Sequence, residues 1–118
     1  MNISAVMELI REEETFLRAI VATTRAQDKI NIIKGAKPRQ LDALCEIILN
    51  VLRGTVPLSD SEKKKASKHK TVLRKLAKRC LKKLPRKRLF IKYFTLIRRV
   101  ITAALPVIGI VLAAIQTV

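Results

Sequence analysis

Residues 38–54 read PRQLDALCEIILNVLRG, and this stretch carries the clearest helix signals in the chain. Pro38 suits the first turn of a helix, and Gly54 suits the position just past its end. Apolar residues recur between them at helical spacing over a wide face. They are Leu41, Leu44, Cys45, Ile48, Leu49 and Leu52. A helix with so wide an apolar face needs partners on several sides, so we expect it at the centre of a small helical core.

Helical periodicity also precedes this central helix. Residues 4–26 carry an apolar stripe that is interrupted by Glu13. Residues 28–34 either continue that helix or form one extra turn, which Gly35 ends. The composition is dominated by Ala, Leu, Ile, Lys and Arg, residues that favour helix over strand as a group.

A basic helix is predicted after the central one. Ser59 and Glu62 have the spacing of a capping box, which starts a helix by satisfying two backbone amides. This helix is expected to run to about Leu84, because Pro85 follows. We therefore predict an all-α protein, a small helical bundle with a long basic amphipathic helix and an apolar C-terminal helix.

The net charge of the chain is confined to its second half. Residues 1–60 contain eight Lys or Arg and eight Asp or Glu, whereas residues 61–118 contain 17 Lys or Arg and Glu62 alone, a net of +16. The basic block stops at Arg99. We accordingly divide the chain into a charge-balanced helical region (1–54), a linker (55–59), a basic DNA-binding region (60–99) and an apolar C-terminal segment (100–118).

So dense a cationic segment predicts a polyanionic partner, either nucleic acid or an acidic membrane surface. Its exposed face is nearly all Lys and Arg, which suits contact with phosphates rather than reading of base edges. The sequence has no zinc-finger spacing, leucine-zipper heptad or RNA-recognition aromatic pair. We therefore predict sequence-independent binding to nucleic acid. The predicted nucleic-acid-binding residues are Lys63, Lys64, Lys65, Lys68, Lys70, Arg74, Lys75, Lys78, Arg79, Lys82, Lys83, Arg86, Lys87 and Arg88.

The apolar segment 100–118 leaves two interpretations open. As a helix, 19 uncharged residues span about 28 Å, close to the thickness of a bilayer core, and Arg98 and Arg99 would flank the cytosolic side. The protein would then be membrane-active or tail-anchored. The candidate membrane residues are Val100, Leu105, Pro106, Ile110, Leu112 and Val118. Alternatively, the segment is buried within the bundle or within a homo-oligomer, because every helix has a wide apolar face to cover.

No catalytic constellation is evident, and we expect a non-enzymatic protein without cofactor or metal. Cys45 and Cys80 lie in separate apolar stripes and form no CxxC pair, so we expect buried free thiols rather than a disulfide. His69 lies on the apolar side of the basic helix, where a packing or partly exposed role is expected. A helical adaptor for an acidic protein is a third hypothesis for the function.

One part of the chain resembles a known family. Residues 44–59 read LCEIILNVLRGTVPLS, and KHK at 68–70 and LRKLA at 73–77 follow. This order is similar to that of small basic proteins encoded by polintons and adintovirus-like elements, which resemble in layout the precursor of the adenovirus core protein X, or mu. The resemblance implies a virion core protein that condenses double-stranded DNA, with cations from Lys63 to Arg88 on the DNA.

The resemblance also implies a location and partners. The protein would lie in the virion core and in the host nucleus, and it would contact proteins of the capsid interior. Family members often carry a Gly-Gly-Phe-Leu step before the apolar tail, which resembles a viral protease site. Residues 89–93 read LFIKY here, with no glycine pair, so the resemblance does not extend to the protease site.

Overall fold

A computed structural model describes residues 3–54, 58–82 and 85–117, and the side chains of residues 7–54, 58–82 and 85–106. These residues form helices and no strand, which confirms the predicted all-α bundle. The helices are α1 (Ile3–Glu12), α2 (Glu14–Ala22), α3 (Ala26–Lys34), α4 (Pro38–Leu52), α5 (Asp60–Lys68), α6 (Lys70–Leu81), α7 (Lys87–Lys92) and α8 (Phe94–Thr117).

Helix α4 lies at the centre of the core, as its wide apolar face predicts. It packs against α1, α2, α6 and α8, and Leu44, Ile47 and Ile48 are fully buried. Pro38 occupies its first turn, and Gly54 follows its end with a φ of 73°. That left-handed conformation suits glycine, which has no Cβ to clash with the backbone.

The predicted helix over residues 4–26 is divided at Glu13 and ends earlier, at Ala22. Glu13 falls in the middle of the buried stripe, between Ile10 and Leu17, where a carboxylate without solvent or a partner is costly. In the structure its side chain stays 18% exposed and lies 3.9 Å from the Nε atom of Arg39. The chain then starts a separate helix, α3, which packs against α7.

The basic segment is helical, but it is divided at His69 into α5 and α6. Helix α6 buries Leu73, Leu76, Ala77 and Cys80 against the core, whereas α5 has no buried residue. Because the core contacts α6 but buries no residue of α5, packing does not hold the two in one straight helix. Of the predicted linker, residues 55–57 lie outside the described part of the chain, and so does Leu84.

The start of the apolar segment 100–118 belongs to the core. Val100, Ile101 and Ala104 are buried on α8, in line with Phe94 and Ile97. Of the candidate membrane residues, Leu105 is half-buried and Pro106 is exposed, while the side chains of Ile110, Leu112 and Val118 lie outside the described residues. The burial of Val100 and its neighbours agrees with the interpretation that this part packs within the bundle.

Candidate nucleic-acid interface

One of the two hydrogen bonds of the predicted capping box is present at the start of the basic region. The Ser59 hydroxyl accepts a hydrogen bond from the Glu62 backbone amide at 3.3 Å, and α5 begins at the next residue, Asp60. Asp60 and Glu62 lie in the first turn, where the helix dipole favours acids, and Lys65 and Lys68 lie in the last turn, where it favours cations. The charges at both ends of α5 therefore favour the helix through its dipole.

Helix α6 has one face packed against the core and an opposite face that is cationic. Lys75, Lys78 and Lys82 are exposed and lie opposite the buried side, at the three- and four-residue spacing that aligns side chains along a helix. From the first to the last of them the helix rises about 10 Å. This stripe points away from the protein, so all three ammonium groups can reach one extended polyanion.

The cations of α5 and α6 are not neutralised within the protein. Among the described residues, none of the Lys or Arg side chains between Lys63 and Lys82 lies within 4.0 Å of a carboxylate. Nine of them are exposed: Lys63, Lys64, Lys65, Lys68, Lys70, Arg74, Lys75, Lys78 and Lys82. The tenth, Arg79, is half-buried and donates a hydrogen bond to the Pro85 carbonyl at 3.0 Å.

Two cations of the balanced first half are paired with carboxylates. Arg18 forms an ion pair with Glu14 at 2.7 Å, four residues away. Arg39 donates a hydrogen bond to Glu12 from its Nε atom at 3.1 Å, and this bond together with the charge of Glu12 raises the pKa of Arg39 above its ordinary value. These two pairs lie within α1, α2 and α4, whereas the cations on α5 and α6 have no carboxylate partner among the described residues and remain available for a partner molecule.

The predicted DNA-binding residues beyond α6 are less uniform. Arg86 is only 14% exposed, and its guanidinium forms an ion pair with Asp42 at 2.7 Å and donates to the Pro38 carbonyl at 3.1 Å. Lys87 donates to the Lys34 carbonyl at 2.8 Å, and Arg88 is exposed. Lys83 lies outside the described residues. The structure thus gives Arg86 a role inside the protein, which its place in a basic run did not indicate.

The expectation of two free thiols is wrong. Cys45 on α4 and Cys80 on α6 form a disulfide, with their Cα atoms 5.8 Å apart. Both cysteines are buried, as predicted. The pairing follows from tertiary packing, because α4 and α6 lie side by side and bring the two apolar stripes together. This covalent link attaches the basic helix directly to the central helix.

The structure also places beside α5 two cations that the list of predicted DNA-binding residues omitted. Arg98 and Arg99, at the start of the apolar helix, border a cleft together with Lys65 and Lys68 of α5. His69 borders the same cleft and is half-buried, within the range of roles expected for it. No pattern along the sequence could have found this grouping, because it joins residues more than 25 positions apart.

Two other features are absent from the described part of the chain. No cluster of three or more His, Cys, Asp or Glu side chains with the arrangement of a metal site occurs among them. No helix within that part of the chain is long and apolar enough to cross a membrane.

The fold and the interface therefore define a small all-α protein in which two consecutive helices, α5 and α6, carry a dense set of cations without a carboxylate partner among the described residues. Comparison with protein-family models, curated proteins and solved structures gives no match to this chain.

Proposed function

We propose that this protein is a non-enzymatic virion core protein of a virus or virus-like transposon, which binds and condenses double-stranded DNA without sequence preference. The observation that carries the proposal is the exposed set of cations on α5 and α6 that has no carboxylate partner among the described residues. The resemblance of residues 44–77 to proteins of polintons and adintovirus-like elements, and in layout to adenovirus core protein X, supports the same function.

The mechanism is neutralisation of phosphates with release of condensed counterions. DNA carries such counterions along its whole length, and each phosphate contacted by a Lys or Arg releases some of them. The exposed cations surround much of α5 and α6, so one duplex reaches only some of them. If about six cations reach phosphates, the logarithm of the affinity falls with the logarithm of the salt concentration at a slope of about −5.

The lack of sequence preference follows from the chemistry of the face. Lysine presents a compact charge on a flexible stem, which suits a phosphate, and Lys75, Lys78 and Lys82 form the outward stripe of α6. The described side chains there include no Asn or Gln, which read adenine through paired hydrogen bonds. The charge-balanced region would then serve as the scaffold. It would also contact the capsid interior or further copies of the chain.

A salt titration tests this function. The full chain is required, because Val100, Ile101 and Ala104 lie in the core and a chain cut at residue 99 would lack them. Binding to two unrelated 30-base-pair duplexes is measured by fluorescence anisotropy from 50 to 300 mM salt. We expect equal affinities and a slope near −5, and a strong preference for one duplex would refute non-specific binding.

A matched pair of triple variants tests the site. K75Q/K78Q/K82Q removes the α6 stripe, and R11Q/R25Q/K34Q removes the same charge from exposed positions of the balanced half. The first variant should reduce the slope by about 2.7, which corresponds to three lost phosphate contacts, and the second should leave it unchanged. Equal slopes for the two variants would mean that net charge, not this surface, governs binding.

The same preparation separates the alternative functions. A chain that ignores DNA at 150 mM salt but binds anionic liposomes would be the membrane-active or tail-anchored protein that the apolar segment allows. A chain that prefers an acidic protein to both would be a helical adaptor. Either result would replace the proposed function.

A further inference from the structure

A cleft of about 710 Å³ lies between the end of α4, helix α5 with the preceding Leu58, and α8. Its wall is largely apolar, with Leu58, Ala66, Leu96 and Ala103 each half-buried rather than enclosed in the core. This volume falls within the range of about 300–1,000 Å³ that is typical of sites for small molecules. The partly exposed apolar side chains would lose further contact with water if a ligand filled the cleft.

The border of the cleft is cationic. Lys65 and Lys68 come from α5, and Arg98 and Arg99 come from α8, against one carboxylate, Glu62. Arg98 also donates from its Nε atom to the Val21 carbonyl of α2 at 2.6 Å, so one N–H of its guanidinium is used within the protein and the others remain. Among the described residues, none of the four cations lies within 4.0 Å of a carboxylate. An anionic group at this border would therefore meet charges that the protein itself leaves unpaired.

We propose that this cleft binds one molecule of an anionic single-chain amphiphile, of the class of long-chain fatty acids. The alkyl chain would lie along the apolar wall, and the carboxylate would lie among the cations of the border. A DNA strand fits the cleft poorly, because the apolar wall offers no partner to phosphates or sugars. The inference is independent of the proposed function, although Lys65 and Lys68 serve both.

The affinity should depend on both parts of the ligand. Each methylene group removed from water strengthens binding by about fourfold, until the cleft is full. A cationic head on the same chain meets like charges, so its binding should be at least tenfold weaker. Acetate, which has the charge without the chain, should show no measurable binding.

Isothermal titration calorimetry of the full chain with dodecanoate below its micelle concentration, at 150 mM salt, tests the proposal. Octanoate, dodecyltrimethylammonium and acetate are the comparison ligands. We expect one dodecanoate per chain, much weaker octanoate, and the order of heads given above. Several dodecanoate molecules per chain, or equal affinity for the cationic amphiphile, would overturn the proposal.

Three variants then locate the bound molecule. R99E reverses a charge at the border and should weaken dodecanoate binding about tenfold, whereas R25E reverses an exposed charge outside the cleft and should change it less than twofold. A103W fills the cleft and should weaken binding by at least tenfold in protein that retains its circular dichroism spectrum. Equal affinities for R99E and R25E would overturn the proposal even if A103W does not fold. Displacement of dodecanoate by an acidic helical peptide that binds more tightly would assign the cleft to a protein partner instead.

Discussion

The disulfide between Cys45 and Cys80 allows a quantitative test of how the basic helix is attached to the core. The two cysteines are 35 positions apart in sequence. For a closed loop of this size, the chain-entropy relation gives about 3.8 kcal/mol of stability at 25 °C. Reduction should lower the free energy of unfolding by that amount. An unfolding entropy of about 2.1 cal/mol/K per residue then predicts a fall in melting temperature of about 15 °C for 118 residues.

The assay is thermal unfolding followed by far-ultraviolet circular dichroism, with and without a phosphine reductant. Thiols are counted in denaturant before and after reduction, and none should be found before it. The double variant C45A/C80A is the control, and its melting temperature should not respond to reductant. Two free thiols in the untreated, air-exposed protein, or an unchanged melting temperature after both thiols are released, would refute the reasoning.

Three further predictions concern single positions, each measured by urea unfolding of the variant. Arg86→Gln should lower the free energy of unfolding by about 1.5 kcal/mol, because it removes charged hydrogen bonds to Asp42 and to the Pro38 carbonyl. It should leave the slope of DNA affinity against salt unchanged. A reduced slope would mean that Arg86 contacts DNA. Gly54→Ala should cost about 1 kcal/mol, since a φ of 73° is strained for alanine, and no loss of stability would contradict this account of the turn. Ser59→Ala should cost about 1 kcal/mol through loss of the cap on α5, whereas equal stability would mean that the hydroxyl contributes nothing there.

The fold class and the central helix were predictable because they depend on local pattern. Pro38 and Gly54 predict the limits of α4 through backbone conformation alone, and the wide apolar stripe predicts its central place. The breaks at Glu13 and His69 were not predictable in the same way, because one polar residue in an apolar stripe does not by itself end a helix. A break there depends on how much core contact each flanking helix makes, and this is known only when the helices are packed.

The site was predictable in charge but not in geometry. A run of Lys and Arg indicates a cationic region, yet the run does not distinguish the exposed Lys75 from Arg86, which pairs with a carboxylate 44 positions earlier. The disulfide was missed for the same reason, since a Cα separation of 5.8 Å requires the relative position of α4 and α6. Long-range pairings of this kind are properties of the packed bundle, and a sequence pattern has no access to them.

The disulfide can contribute to the proposed function only in compartments where it stays oxidised. Thiols of nuclear and cytosolic proteins are kept reduced, whereas disulfides persist on virions and outside cells. If the protein acts in a host nucleus, as the proposed function implies, packing alone would hold α6 against α4 there. DNA at 100 times its dissociation constant stabilises a folded protein by about 2.7 kcal/mol, which offsets most of the 3.8 kcal/mol that the open disulfide removes. Bound phosphates also reduce the repulsion among the lysines of α5 and α6. The folded basic region and the condensed DNA would therefore stabilise each other until the disulfide forms in the released particle.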